Sequence, residues 1–157
     1  MESSLHSPKF TLVPAQFFDE AQSRGILSEV ALLDEADTVS HIEIPQYSAV
    51  LVYVSGGEGL LPEMFYILRD LQKCTEYNKI LCSRAGGRLF MAIAQGRTLL
   101  LANSYPAPDF TTAEYYIFLA LKSLQLNPEI STVSWRSGLT GEEEMSLYHY
   151  FKAVEQL

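Results

Sequence analysis

Basic residues are scarce in this chain. Eleven Lys and Arg stand against 19 Asp and Glu, a net charge of −8, and no short window concentrates the cations. Neutralising a phosphate backbone needs clustered Lys and Arg, so nucleic-acid binding is not expected. The acidic balance favours solubility instead. Cysteine is almost as rare. Cys74 and Cys82 are too few for a disulfide framework, and one falls in a helical pattern while the other falls in a strand. They read as buried free thiols of a reducing cytosol. No apolar run approaches the length of a membrane span, so no membrane insertion is expected. Met1 to Pro8 has neither a basic n-region nor an apolar h-region, so no secretory signal is read and the expected location is cytoplasmic.

What is present is ordinary globular material. A hydrophobic content of 48% with 19% charged residues rules out disorder, and nine Tyr with eight Phe supply bulky core groups. By length the chain forms one domain that buries roughly two-thirds of its unfolded surface.

Lys9 to Val13 alternates and stops at Pro14, predicting a short strand. Phe17, Phe18 and Ala21 at helical spacing predict a helix over 15–24 that ends at Gly25. Thr38 to Ile44 alternates, and Ala49 to Val54 is a nearly continuous apolar run, the mark of a strand buried on both faces. A helix follows from about Leu61 to Lys73, with Phe65, Leu68 and Leu71 on one side. Asn78 to Arg84 runs into Ala85-Gly86-Gly87, Arg88 to Gln95 runs into Gly96, and Arg97 to Tyr105 follows. Thr111 with Glu114 forms a capping-box pattern for a helix over 112–125, with Phe110 as staple. Asn127-Pro128 stops it, and Ile130 to Trp135 is a short strand. Thr140 with Glu143 caps the last helix, whose buried stripe is expected to be Leu147, Phe151 and Val154. The C-terminal order is thus β-β-β-α-β-α. Each half of an actin-like, ribonuclease-H-like fold begins this way, and the expected class is α/β with a mixed sheet and flanking helices.

Two glycine loops are candidate phosphate cradles. Ser55, Gly56, Gly57 and Gly59 lie between a strand and a helix, where backbone N–H groups attract anions. The loop lacks a Gly-Lys-Ser/Thr ending, Pro62 occupies the third glycine position of a dinucleotide fingerprint, and Glu58 would repel a phosphate. A flexible strand-to-helix turn explains it more simply. The second loop is Ser83, Gly86 and Gly87 at a hairpin tip, flanked by Arg84 and Arg88. A nucleotide-binding hairpin also needs a strand-end carboxylate to hold Mg²⁺ through water. This strand ends in Cys82-Ser83-Arg84, so plain turn chemistry is preferred. The run Glu142-Glu143-Glu144 is no metal cluster, because consecutive helical residues point about 100° apart. His6, His41 and His149 have no partner at ligand spacing. A Cys82/His149 nucleophile pair has nothing beyond composition behind it. The segments Tyr115-Tyr116 and Tyr148-His149-Tyr150 are expected to alternate between core and surface, the exposed half being available to a partner.

Several segments together resemble the domain-of-unknown-function family 3822. They are Ser7-Pro8-Lys9-Phe10-Thr11-Leu12-Val13-Pro14, Phe17-Phe18-Asp19-Glu20 and Leu99-Leu100-Leu101-Ala102-Asn103-Ser104-Tyr105-Pro106. Glu114-Tyr115-Tyr116-Ile117 and Leu124-Gln125-Leu126-Asn127-Pro128 complete the set. The resemblance implies an actin-like ATPase-type fold, distantly similar to bacterial cell-division and pilus-assembly proteins, and no established activity. Family members are longer, with a β-rich subdomain before Ser7, so this chain resembles the second actin-like half with its connecting piece. On that basis residues 1–77 are a connecting segment with strands and two helices, and 78–157 are the ribonuclease-H-like subdomain, the two forming one compact unit. The missing half and the missing strand-end acid point away from ATP hydrolysis. The expectation is a degenerate module without cofactor that binds another protein or itself. The alternative is an ATP-binding protein with Mg²⁺.

Overall fold

The computed structural model describes residues 3–56 and 59–157, which fall into two units, Met1–Tyr66 and Ile67–Leu157. In the first, β1 (Phe10–Pro14), β2 (Thr38–Ile44) and β3 (Ala49–Ser55) form an antiparallel sheet in the order β1-β3-β2. Strand β3 pairs on both sides, Leu12 facing Leu51 across one ladder and Ile42 facing Leu51 across the other. Its residues Val50 to Tyr53 are buried, as a continuous apolar run requires of a central strand. Val13, Val50 and Val52 pack on Leu27 of α1 (Ser23–Ser28), with Phe18, Leu33 and Val39 at the margin.

The helix expected over 15–24 is not continuous. Two 3₁₀ turns, Ala15–Phe17 and Glu20–Gln22, precede α1, and Gly25 lies inside α1 and does not stop it. The reason is Asp19, whose carboxylate accepts the Ala21 N–H and offers the backbone an alternative to the helical ladder. Phe17 is left 70% exposed, so the apolar spacing that suggested a buried stripe did not mark one.

Helix α2 (Glu63–Leu71) buries Met64, Ile67, Leu68 and Leu71, while Phe65, expected on that stripe, is only half-buried. The second unit is built on a five-stranded sheet. Strands β4 (Asn78–Ala85), β5 (Arg88–Gln95) and β6 (Thr98–Pro106) form an antiparallel meander, and β7 (Thr132–Trp135) and β8 (Ala153–Gln156) add in parallel, giving the order β6-β5-β4-β7-β8. Only β5 runs against the others. Helix α3 (Phe110–Ser123) connects β6 to β7, and α4 (Gly141–Tyr148) connects β7 to β8. This is the mixed sheet predicted from the strand and helix order.

Both faces of the central strands are buried. On one, Ile80, Cys82, Met91 and Trp135 pack against Ala113, Ile117 and Leu121 of α3 and Leu147 of α4. The alternate residues Leu81, Phe90, Ala92 and Ala94 are equally inaccessible. Strand alternation places Lys79 and Arg136 on that second side. Lys79 Nζ donates to the carbonyls of Cys74 at 2.6 Å and Glu76 at 2.8 Å. Asp70 accepts from Arg69 at 2.9 Å, meets Lys73 at 3.0 Å and lies 3.8 Å from Arg136 Nε.

Helix ends differ from expectation in two places. The N-cap of α3 is Asp109, which accepts the Thr112 N–H at 2.7 Å, and not Thr111; the helix therefore starts at Phe110. Aspartate caps more strongly than Thr, and its acceptor suits the positive end of the dipole. The last helix ends at Tyr148, whereas a stripe through Val154 was expected. Leu147, Phe151 and Val154 are all buried, but Phe151 lies in the turn and Val154 on β8, paired with Val133. The free edge of β7 captures Ala153–Gln156 as a fifth strand, and a spacing of three to four cannot distinguish the two outcomes.

Helix α3 ends in a Schellman motif. The Leu126 N–H donates to the Leu121 carbonyl at 2.9 Å and the Gln125 N–H to the Lys122 carbonyl at 3.1 Å. Gln125 takes φ 58°, a left-handed conformation that crowds any Cβ. Replacing Gln125 by Gly is expected to raise stability by about 0.5–1 kcal/mol, seen as an increase of about 1–4 °C in Tm; an unchanged or lower Tm would show the strain is absent.

Asp70 sets an acid limit. Burial raises its pKa, but hydrogen bonds from Arg69 and Lys73 outweigh burial and hold the carboxyl below its usual 3.8. A depressed folded-state pKa contributes stability above the unfolded value, lost as pH falls through the folded one. Asp70→Ala is expected to cost about 2–4 kcal/mol at pH 7 in urea unfolding. The gap to the wild type should narrow below about pH 4. A gap independent of pH would assign the loss to packing.

Candidate functional site

Ligands of open α/β sheets gather at the carboxyl ends of the parallel strands. Here that edge is formed by the ends of β4 and β7, the β4–β5 turn and the start of α4. The turn residues Gly86 and Gly87 have φ of 58° and 71°, the pair of left-handed values of a two-residue turn that matches strand twist. A Cβ at Gly87 would meet nothing within 4 Å, so backbone conformation alone requires glycine there. The Gly87 carbonyl accepts the Ala107 N–H at 2.9 Å, tying the turn to the end of β6. Ser83 is 1% exposed.

The two arginines beside the turn are already engaged. The Arg84 backbone N–H donates to Ser137 Oγ at 3.1 Å, and its guanidinium lies 3.8 Å from the Glu143 carboxylate. Arg88 Nε donates to Ser104 Oγ at 2.8 Å, and burial lowers its pKa. The Thr140–Glu143 capping box is formed as predicted. Thr140 N–H donates to Glu143 Oε1 at 2.9 Å, and Glu143 N–H donates to Thr140 Oγ1 at 3.1 Å. Asp109, the other carboxylate near Arg84, is held low by the Thr112 N–H it accepts, with Arg84 adding a smaller effect. Both carboxylates at this edge therefore cap helices. An anion arriving at α4 would meet Glu142, Glu143 and Glu144 in its first turn.

The other glycine loop lies in the first unit. Ser55 closes β3 and its hydroxyl donates to the Thr38 carbonyl at 3.2 Å. A Cβ on Gly56 would come within 2.8 Å of Leu5 Cδ2, so glycine there makes room for Leu5. Gly59 has φ 71°. Gly57 and Glu58 lie outside the described residues. The start of α2 is covered by Ser4 and Leu5. The Glu63 N–H donates to the Leu5 carbonyl at 2.9 Å, and Ser4 Oγ donates to the buried Glu63 carboxylate at 2.6 Å. One amide that an anion would need is thus taken, and a carboxylate stands beside it.

Among the described residues, no group of three or more His, Cys, Asp or Glu is placed to hold a metal ion, and no helix is long and apolar enough to cross a membrane. Cys82 is wholly buried, burial pushes its thiol far up, and Cys74 adds to the shift. Cys74 is raised chiefly by burial, against a hydrogen bond from Ser134. His149 sits exposed at the C-cap of α4.

On the outer side of α3, sequence reasoning expected one exposed tyrosine of the Tyr115-Tyr116 pair but missed Leu119. Tyr115 is 61% exposed and Leu119 is 47% exposed, four residues apart on one row. Tyr116 is half-buried and stacks on Tyr105 with centroids 4.8 Å apart, so the predicted alternation holds for this pair. It fails at Tyr148-His149-Tyr150, where all three are exposed because the chain leaves the helix at Tyr148. Phe118 forms a wall, 4.8 Å from Tyr150 and 5.7 Å from Phe151 by ring centroids. A shallow hollow of about 380 Å³ lies among Tyr115, Phe118, Leu119 and Lys122. The signal available in the sequence was that α3 carries large apolar residues beyond its inward stripe.

The family model described as "Protein of unknown function (DUF3822)" matches residues 63–154. No curated protein matches the chain. A crystal structure from Bacteroides thetaiotaomicron, of a protein with actin-like ATPase fold and unknown function, superposes with a TM-score of 0.80 at 18% sequence identity. The match covers 97% of this chain but 66% of that one, so the chain spans just under two-thirds of that protein's length.

Buried thiols of raised pKa react only when the fold opens. In native buffer, Cys74 and Cys82 are expected to react with Ellman's reagent at least about 100-fold more slowly than in 6 M guanidinium chloride. Rapid native labelling of Cys82 would instead reveal an accessible, activated thiol.

Proposed function

This chain belongs to the DUF3822 family and has an actin-like, ribonuclease-H-like fold, and from that premise we propose that it is a degenerate, non-catalytic actin-like module that acts by binding protein. The observation that carries the reading is the outward surface of the helical layer. Tyr115 and Leu119 on α3, Met145 and Tyr148 on α4, and Tyr150 just beyond it are each at least 47% exposed. Exposed apolar and aromatic groups gathered on one layer mark interaction surfaces, and tyrosine suits them through its apolar ring and polar tip.

The chemistry of the strand edge supports the non-catalytic part. Mg²⁺-assisted phosphoryl transfer needs a carboxylate to position the ion through water. At the end of β4 the chain carries Arg84, and the nearby Glu143 and Asp109 are committed to helix caps. The same reading places the protein in a bacterial cytoplasm, where buried Cys74 and Cys82 stay reduced.

Thermal unfolding with and without 1 mM Mg²⁺-ATP or Mg²⁺-ADP tests this reading. A nucleotide bound with Kd of about 10 μM would add about 2.7 kcal/mol and raise Tm by several degrees. The expected shift is below about 1 °C. A larger shift, abolished by Gly86→Val, would favour the nucleotide-binding alternative.

A further inference from the structure

We propose that the outer row of α3 docks a second copy of this chain, as an antiparallel two-fold helix pair centred on Leu119. The inference rests on the protein-binding reading and names the partner. Three observations converge on it. The first is pattern. Inward, α3 buries Ala113, Ile117, Ala120 and Leu121, while its solvent side carries Tyr115 and Leu119. A helix apolar on both sides is one that is covered on both sides.

The second is register. Tyr115 lies four residues before Leu119 and Lys122 three after it, on one exposed row. Two antiparallel helices crossing at Leu119 therefore set Tyr115 of each copy against Lys122 of the other. The ammonium meets the face of the ring twice, a cation–π arrangement produced by the symmetry itself. A parallel pairing would set Tyr on Tyr and Lys on Lys, leaving two like charges together. The hollow among Tyr115, Phe118, Leu119 and Lys122, about 380 Å³, receives the Leu119 side chain of the other copy as a knob in a hole.

The third is charge. At −8 the chain repels itself, so two copies meet most easily where acids are absent. The exposed row Thr111, Tyr115, Leu119, Lys122 contains no carboxylate. Glu114, on the same helix, is turned to α4, where it takes the Ser146 hydroxyl at 2.8 Å. Centred on Leu119, the two helices overlap over residues 115–123, a strip about 14 Å long that buries far less area than a standard interface, so the dimer is weak, with Kd of about 10–100 μM.

Sedimentation analysis from about 1 to 500 μM reads the outcome directly. The wild type is expected to shift from monomer to dimer, and Leu119→Asp to remain monomeric with a melting temperature close to wild type. Tyr115→Lys sets lysines against each other and should weaken the dimer at least about tenfold; adding Lys122→Glu in the same chain should restore it. With the native thiols buried, Leu119→Cys should give a disulfide-linked dimer on mild oxidation. A wild type that stays monomeric, a dimer indifferent to Leu119→Asp, or a charge pair that fails to restore would overturn the proposal. If the chain is monomeric and nucleotide leaves its melting unchanged, only this partner assignment fails. A nucleotide shift on the monomeric Leu119→Asp chain would instead bring down the protein-binding reading.

Discussion

Two residue pairs, Leu81 with Ser134 and Cys82 with Trp135, join the β4–β5–β6 meander to the parallel strands that follow it. Without this parallel contact β7 has no neighbour on that side, β8 has nothing to extend, and α4 has no sheet to cover. Parallel strands cannot be joined by a tight turn, so the chain must leave through α3 and return. That detour puts apolar residues of α3 over Ile80, Cys82 and Met91. Strand β4 is then buried on both faces, and its alternating residues serve two different surroundings, with Lys79 lying on the side opposite Ile80. The Cys74 and Glu76 carbonyls accept from Lys79, so its buried ammonium remains solvated by protein.

Much of this was legible in the sequence because it depends on nearest neighbours. Strands β2 to β5 show as alternation or continuous apolar runs, the Gly86-Gly87 turn as glycine where φ must be positive, and the α4 start as Thr140 with Glu143. What escaped depends on competition or on distant partners. Asp19 diverts a backbone that otherwise has helical spacing, and Asp109 outranks Thr111 as a cap. Strand β8 exists because β7 offers an open edge, and no local pattern in Ala153–Gln156 specifies that. Phe151 in the turn before it and Val154 within it keep helical spacing from Leu147 only by coincidence.

The strand-edge region was legible in composition but not in arrangement. Arg84, Arg88 and the glycines can be read from the sequence, whereas the approach of Glu143 to Arg84 exists only after β7 pairs with β4 and α4 folds back. The outer row of α3 is the reverse case. Its residues are plain in the sequence, yet Leu119 and Leu121 are the same residue two positions apart, one exposed and one buried. Only the sheet decides which of them faces inward.

The division of the second unit's sheet into a meander and a later parallel addition also orders events in time. Strands β4, β5 and β6 are joined by two-residue turns, so their ladders close small loops at little entropic cost. The β4–β7 pair brings together residues far apart in the chain, closes a much larger loop and is expected to form later. Until then the β4 edge that will accept β7 is an uncovered template, with Leu81 and Cys82 on a row of unpaired amides and carbonyls. The same two pairs that complete the native sheet are therefore the place where a growing or refolding chain is most open to pairing with the wrong strand.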